Sequence, residues 1–224
     1  MNMIQTLREI KATQKRPDGL FGSFMTRPVS HIFAFLAMKL GMTPNVVSFL
    51  SFVFCGGAVA LLYLYPQSYY MWLWAGASWW MGGILDASDG DLARHTGTGT
   101  PFGGWFDSFL DRMKEMLIFA LFGYLAFRRY GNELFLLLGF LSMFSNVISG
   151  WISDTKKLFI KERAPEIQFS KKYSFGMVDT RDFFVILSLA LYDMRVALYV
   201  YSTVFMLLLG VQVIVFVRKY GEQK

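Results

Sequence analysis

The sequence predicts an all-α integral membrane protein: six transmembrane helices preceded by an N-terminal amphipathic helix lying in the interface. Composition gives the first reason. Charged residues make up 17% of the chain, hydrophobic residues 54% and aromatics 18%, whereas a soluble domain carries about a quarter charged residues. Uninterrupted apolar runs give the second. Val46–Tyr65 and Val196–Val217 contain no Asp, Glu, Lys or Arg, and each is about long enough to cross a hydrocarbon core of roughly 30 Å. The third is where the charges fall. The net charge of +6 comes from basic residues that flank the apolar runs, a pattern suited to anionic lipid surfaces and not to nucleic acid.

Taken in order, residues 1–43 form a cytoplasmic tail and the interfacial helix. The tail carries Arg8, Glu9, Lys11, Lys15 and Arg16, with no apolar core and cleavage site of the signal-peptide kind behind them. Arg27–Leu40 is too short to cross, and its apolar residues Ile32, Phe33, Phe35, Leu36, Met38 and Leu40 suit a helix lying in the interface. Residues 44–218 form the six-helix transmembrane domain, and 219–224 a second cytoplasmic tail. The spans are expected at Pro44–Tyr65, Tyr69–Ala93, Gly103–Phe127, Glu133–Trp151, Thr180–Tyr192 and Met194–Val217, the fifth being short. Trp72, Trp74, Trp79, Trp80, Trp105 and Trp151 are expected at span ends, in the aromatic belt. Cys55 lies inside an apolar run and is read as a small packing residue; a single cysteine allows neither an internal disulfide nor a cysteine-based zinc site.

This layout places only Arg128, Arg129 and Arg195 on the side opposite the termini, and Arg112 and Lys114 inside the third span. All other basic residues share the side of the termini, which the positive-inside rule makes cytoplasmic.

Carboxylates inside spans cost roughly 2.5–3.5 kcal/mol each near a helix centre, yet two adjacent spans carry four. Asp86 and Asp89 are spaced i, i+3 and Asp107 and Asp111 i, i+4, so each pair projects from one helix face. His95–Phe102, with Gly97, Gly99 and Pro101, turns the chain back between them. Two antiparallel helices then present four carboxylates to one cavity near the cytoplasmic surface. Oxygen-only ligands suit hard divalent ions, and two such ions about 3.5–4 Å apart can clamp a pyrophosphate. Gly90 and Ala93 leave room for a ligand, and Arg94 can pair with phosphate oxygens. The plainer alternative is a structural ion-pair network with Arg94, Arg112 and Lys114. Asp91 points off the Asp86–Asp89 face and is read as solvated or paired. Glu115 is read as paired with a neighbouring cation, and His31 and His95 as surface or hydrogen-bonding residues.

The string D-x-x-D-G-x-x-A-R, then eight residues, then G-x-x-x-D-x-x-x-D, is filled by Asp86, Asp89, Gly90, Ala93, Arg94, Gly103, Asp107 and Asp111. It resembles the signature of the CDP-alcohol phosphotransferases (CDP-alcohol phosphatidyltransferases), as do the six-span layout and Thr43-Pro44-Asn45 at the first span. The resemblance implies two divalent ions, Mg2+ or Mn2+, held by Asp86, Asp89, Asp107 and Asp111 and binding the pyrophosphate of a CDP-alcohol. It implies that Gly90 and Ala93 accommodate the cytidine, that Arg94 contacts phosphate and that Asn45 joins the donor-binding set. Asp111 would also take the proton of an acceptor hydroxyl, which attacks the β-phosphorus and releases CMP. It implies a homodimer as well.

Lys156, Lys157 and Arg181 belong to a basic cluster that suits a phosphorylated polyol acceptor such as inositol phosphate or glycerol phosphate; the same cluster also satisfies the positive-inside rule alone. Lys15-Arg16-Pro17-Asp18-Gly19 and Thr180-Arg181-Asp182 resemble strings in members that handle inositol phosphates. The rival readings are an intramembrane magnesium-dependent prenyltransferase and a divalent-cation or proton transporter. The first has distant acidic motifs in a larger bundle, and the second shows repeated halves. Here both acidic pairs lie close together and no second copy follows residue 111.

Overall fold

In the computed structural model of the chain, the described residues are 3–14, 18–155, 167–168, 173–175 and 177–220. They are helical apart from their connections and a minimal sheet. The helices are α1 (Met3–Ala12), α2 (Leu20–Met25), α3 (Arg27–Lys39), α4 (Pro44–Leu64), α5 (Tyr69–Thr96), α6 (Pro101–Tyr130), α7 (Leu134–Thr155) and α8 (Met177–Ala190). A last run comprises α9 (Arg195–Tyr199), a π-helical segment at Val200–Phe205 and α10 (Met206–Tyr220). Strands β1 (Asp18–Gly19), β2 (Ile167–Gln168) and β3 (Tyr173–Phe175) pair in the order β1-β3-β2, β1 parallel and β2 antiparallel to β3.

Local chemistry fixes the boundaries. Thr43 caps α4 by accepting from the Val46 N–H at 3.4 Å, with Pro44 in the first turn, where a missing N–H costs nothing. Thr100 and Pro101 do the same for α6, Thr100 accepting from the Gly103 N–H at 2.9 Å. Gly97 ends α5 at φ 67° and Gly131 ends α6 at φ 66°, the left-handed terminator conformation that glycine adopts without strain.

Two apolar cores flank the middle of the bundle. One joins Trp72, Phe119, Phe122, Leu189, Leu198 and Tyr201 from α5, α6, α8, α9 and the π segment. The other joins Ile10, Ala34, Phe35, Val47, Leu85 and Leu92, packing α1 and α3 onto α4 and α5. α6 and α7 cross at Gly123 and Gly139, where a Cβ on Gly123 would stand 2.9 Å from the Gly139 Cα. Small residues of this kind let helix backbones approach closely.

Among the described residues, α4 and the stretch Leu134–Ile152 of α7 are helices long and apolar enough to cross a membrane. Large apolar side chains stand exposed on both, including Phe49, Val53 and Phe54 on α4 and Leu137 and Phe140 on α7. Helices lie over the stretches expected as spans but with different bounds: α5 extends past Ala93 to Thr96, α6 begins before Gly103 at Pro101, α8 covers Met177–Ala190 where Thr180–Tyr192 was expected, and Met194–Val217 is divided among α9, the π segment and α10. The tryptophans need correction. Trp72 and Trp79 are core residues, 0% and 4% exposed, whereas Trp74, Trp105 and Trp151 are exposed. Trp72 lies edge-on to Tyr192 and stacked with Phe122, and its indole donates to the Pro66 carbonyl at 3.0 Å.

Candidate metal and donor site

The end of α5 and the start of α6 are joined by the short chain between Thr96 and Pro101, and both helices pack on α4, so their acidic side chains reach toward one another. One carboxylate oxygen from each of Asp86, Asp107 and Asp111 lies within 4.8 Å of the others. Asp89 is outside this trio. Its Oδ2 accepts a hydrogen bond from the Ser48 hydroxyl of α4, and its side chain is buried.

A lysine meets the trio. Lys114, one helical turn beyond Asp111, places its Nζ 2.7 Å from Asp86 Oδ1, 2.6 Å from Asp111 Oδ1 and 3.2 Å from the Ser51 hydroxyl. The lysine is buried, while the Asp86 and Asp111 side chains keep 35% and 22% of their exposure, so a ligand can reach them. The structural network foreseen as the plainer alternative is therefore present in part, through Lys114.

The remaining candidates lie on α4 and α5. Asn45 at the start of α4 comes against α6 at Gly103, where a Cβ would stand 2.9 Å from Asn45 Oδ1. Gly90 lies under the Arg94 guanidinium, 3.0 Å from the place a Cβ would take. Arg94 Nη2 pairs with Asp91 at 2.6 Å, and its half-exposed fork has further donors for a phosphate. Asp91 is paired, one of the two states expected of it: it is fully buried, its Oδ1 accepts from Arg27 at 3.0 Å and its Oδ2 from the Ser30 hydroxyl at 3.1 Å. It ties α3 to α5. Ala93 is half-buried on the same helix.

Glu115 is paired as expected, bonded by Arg112 at 2.6 and 2.7 Å and by Arg181. Arg181 of α8 is buried and also reaches Asp182 at 3.1 Å. Its charge thus faces two carboxylates, within electrostatic range of Asp111. Lys156 and Lys157 lie outside the described residues.

The trio fits a hard divalent ion. All three donors are carboxylate oxygens, close enough to share one ion. Counted as ionised, three carboxylates against the Lys114 ammonium leave two negative charges, which a dication balances. A sequence-family model described as CDP-alcohol phosphatidyltransferase matches residues 41–217, a stretch that contains every residue of the site. The chain belongs to the CDP-alcohol phosphatidyltransferase family.

Curated relatives agree with this membership. The chain is 39% identical over 97 residues to an archaetidylinositol phosphate synthase of Pyrococcus horikoshii, a match covering 43% of this chain and 47% of the relative. It is 30% identical over 103 residues to a phosphatidylinositol phosphate synthase of Mycobacteroides abscessus, covering 46% and 45%. It is 28% identical over 171 residues to a bifunctional IPC transferase and DIPP synthase of Aquifex aeolicus, covering 76% and 37%. The chain thus spans about half the length of the first two and less of the third.

Within this family member, Ser48, Ser51 and Lys114 are site residues that the motif does not contain. Ser48, Ser51 and Cys55 lie on the buried stripe of α4. Their 3–4 spacing in a charge-free helix is the signal that marks the face turned toward the acids.

Proposed function

We propose that the chain is a membrane enzyme that transfers a substituted phosphoryl group from a CDP-alcohol to an acceptor hydroxyl, releasing CMP and forming a phosphodiester. The observation that carries this reading is the convergence of Asp86, Asp107 and Asp111 at the junction of α5 and α6, within the family-matched residues. Asp86, Asp89, Asp107 and Asp111 would hold two ions, Mg2+ or Mn2+, with Asp89 turning from Ser48 to take part. When bound, the ions neutralise the donor's pyrophosphate, the dominant requirement of phosphoryl transfer.

The protein's own residues do the rest. Asn45, Gly90, Ala93 and Arg94 shape the donor pocket, Arg94 contributing guanidinium donors to phosphate. Lys114 and Ser51 hold Asp86 and Asp111 in register across the two helices. Asp111 accepts the proton of the acceptor hydroxyl as its oxygen bonds to the β-phosphorus; the bond from that phosphorus to the bridging oxygen breaks, and CMP departs with the electron pair. Asp111→Asn therefore retains the donor but does not release CMP.

The acceptor is a phosphorylated polyol such as inositol phosphate or glycerol phosphate. Two relatives bear names of inositol phosphate lipid synthases, and Lys156 and Lys157 supply cations for the acceptor's phosphate, joined by Arg181 once its guanidinium turns from Glu115 and Asp182. Six membrane spans, with α3 in the interface, put both termini and the site on the cytoplasmic side, and two copies associate. The apolar faces of α4 and α7 and the bias of basic residues toward the termini's side support this arrangement.

The test is a screen of the purified chain in nanodiscs, with labelled CDP-alcohols against a panel of phosphorylated and unphosphorylated polyols, reading CMP. CMP that forms only when a CDP-alcohol and a phosphorylated polyol are both present supports the proposal. An absence of CMP with every pairing would remove the transferase reading, and CMP formed equally well with plain polyols would remove the acceptor.

A further inference from the structure

A second polar centre lies at the far end of the bundle. Arg128 follows Asp111 on α6 by roughly 26 Å of helical rise, so the carboxylates and this centre sit near opposite ends of one helix. A cavity of about 430 Å³ opens there, between the end of α4, the end of α6 and the turn after α8. Its polar lining is Tyr63, Gln67, Tyr124, Arg128, Arg129 and Tyr192, with no Asp or Glu among the lining residues.

The two arginines are held but keep donors to spare. Arg128 Nη1 donates to the Tyr124 hydroxyl at 3.3 Å, and its guanidinium lies 5.9 Å from the centre of that ring. Arg129 Nη1 donates to the Tyr192 carbonyl at 2.9 Å, and its guanidinium lies 4.4 Å over the Tyr192 ring. A guanidinium has five N–H donors, so these contacts orient both forks without exhausting them. The adjacent carboxylate, Asp193, is taken up by Arg195 through contacts of 2.6, 2.9 and 3.0 Å; it acts on Arg129 only through longer-range attraction.

Backbone conformation points the same way. Tyr192 has φ 56°, the one non-glycine residue at positive φ among the described residues. It sits just past the end of α8, where glycine is the ordinary occupant, and a strained residue at such a place suggests a use for its side chain. Its ring meets Trp72 edge-on at 4.9 Å and Tyr69 edge-on at 6.1 Å and lies beneath Arg129, and its hydroxyl donates to the Pro66 carbonyl at 3.3 Å. Tyrosine at 192 thus forms a wall of the cavity and fixes one of its two cations.

We propose that this cavity binds a phosphate-bearing anion, with Arg128 and Arg129 as its ligands and the tyrosines as neutral walls and hydroxyl donors. Adjacent guanidinium forks suit a group with several acceptor oxygens. The phosphate of an anionic lipid headgroup is the source the surroundings favour. Exposed Tyr65, Tyr69 and Tyr70 surround the same helix ends, the aromatic arrangement found at headgroup level. In the proposed topology the face opposite the termini holds Arg128, Arg129 and Arg195, and all three gather at this place on a side where basic residues are otherwise scarce. The site is independent of the transfer reaction and stands or falls separately from it.

The experiment uses the full chain with chelator present throughout, so that metal-dependent pyrophosphate binding is silent. Lipid retention is read by native mass spectrometry after release from phosphatidylcholine nanodiscs doped with phosphatidylglycerol, and inorganic phosphate is titrated calorimetrically. The wild type is expected to retain one phosphatidylglycerol. Arg128→Gln and Arg129→Gln should each weaken retention about tenfold, the scale of one charge-assisted hydrogen bond, and Arg218→Gln, an exposed arginine on α10, should leave it unchanged. Arg129→Gln also frees the Tyr192 carbonyl, so Arg128→Gln decides the question if the other variant does not fold. Phosphate binding that depends on Arg128, without lipid retention, would support the anion site and assign it to a soluble phosphate ester. The proposal fails if neither probe depends on Arg128, or if Arg218→Gln weakens retention as much as Arg128→Gln.

Discussion

Replacing Lys114 with Met separates two roles that the structure gives this residue. The ammonium sits 2.7 Å from Asp86 and 2.6 Å from Asp111. At an effective dielectric constant of about 20, each contact corresponds to roughly 6 kcal/mol of attraction, most of it offset by the desolvation of the three groups. Breaking a buried pair by removing one partner costs about 3–5 kcal/mol, because the other charge is left uncompensated. In chelator, Lys114→Met should therefore be less stable than the wild type by about that amount. With Mn2+ the order should narrow or reverse. The same two oxygens then lose a competing cation, and metal affinity should rise at least about tenfold, or 1.4 kcal/mol, a small share of the attraction removed. Thermal unfolding of both proteins across a Mn2+ titration reads both effects, since a ligand of the native state stabilises it by RT times the logarithm of one plus the ratio of its free concentration to Kd. Equal melting in chelator, or a smaller Mn2+-induced shift in the variant, would refute the reasoning.

Other perturbations follow from named contacts. Asp111→Asn should abolish CMP release while donor binding, measured by equilibrium dialysis of a labelled CDP-alcohol, stays within a few-fold; normal turnover would remove Asp111 from the proton-accepting role. Asp91→Asn weakens the hold of α5 on Arg27 and Ser30 of α3, along with the Arg94 pair, and should lower stability by about 3–5 kcal/mol, seen as earlier proteolysis between α3 and α4; an unchanged cleavage rate would show that the apolar contacts of α3 suffice. Gly123→Ala puts a methyl group 2.9 Å from the Gly139 Cα and should cost about 1–3 kcal/mol by overpacking, measured by thermal unfolding; a neutral result would mean that α6 and α7 separate freely.

The helices were legible because a long charge-free run in a chain this apolar has few alternatives. Thr43-Pro44 and Thr100-Pro101 then marked two starts through capping chemistry, and Gly97 and Gly131 two ends. Spacing indicated which acids could meet across the short turn, and three of the four, Asp86, Asp107 and Asp111, come together; Asp89 instead accepts from Ser48 of α4. What escaped was the third helix's share. Ser48 and Ser51 read as ordinary small polar residues in a span, and only the packing of α4 on α5 and α6 brings them to Asp89 and Lys114. Lys114 was seen as a member of a generic network, because a four-carbon stem can lie in several directions and tertiary packing chooses one. Asp91 posed the same difficulty. Its direction away from the motif was readable, but that α3 folds back to bury it was not. The tryptophans show the limit of composition: Trp72 and Trp74 differ by two positions, and the 100° turn per residue sends one into the core and the other outward.

The central claim is that the carboxylates of α5 and α6 act through divalent ions. It is tested most directly by CMP release from a CDP-alcohol and a phosphorylated polyol, using the purified chain stripped with chelator and then titrated with Mg2+ or Mn2+. Release should vanish in chelator, return with added metal, and stay absent in Asp107→Asn at metal concentrations that saturate the wild type. Undiminished release in chelator would contradict the claim.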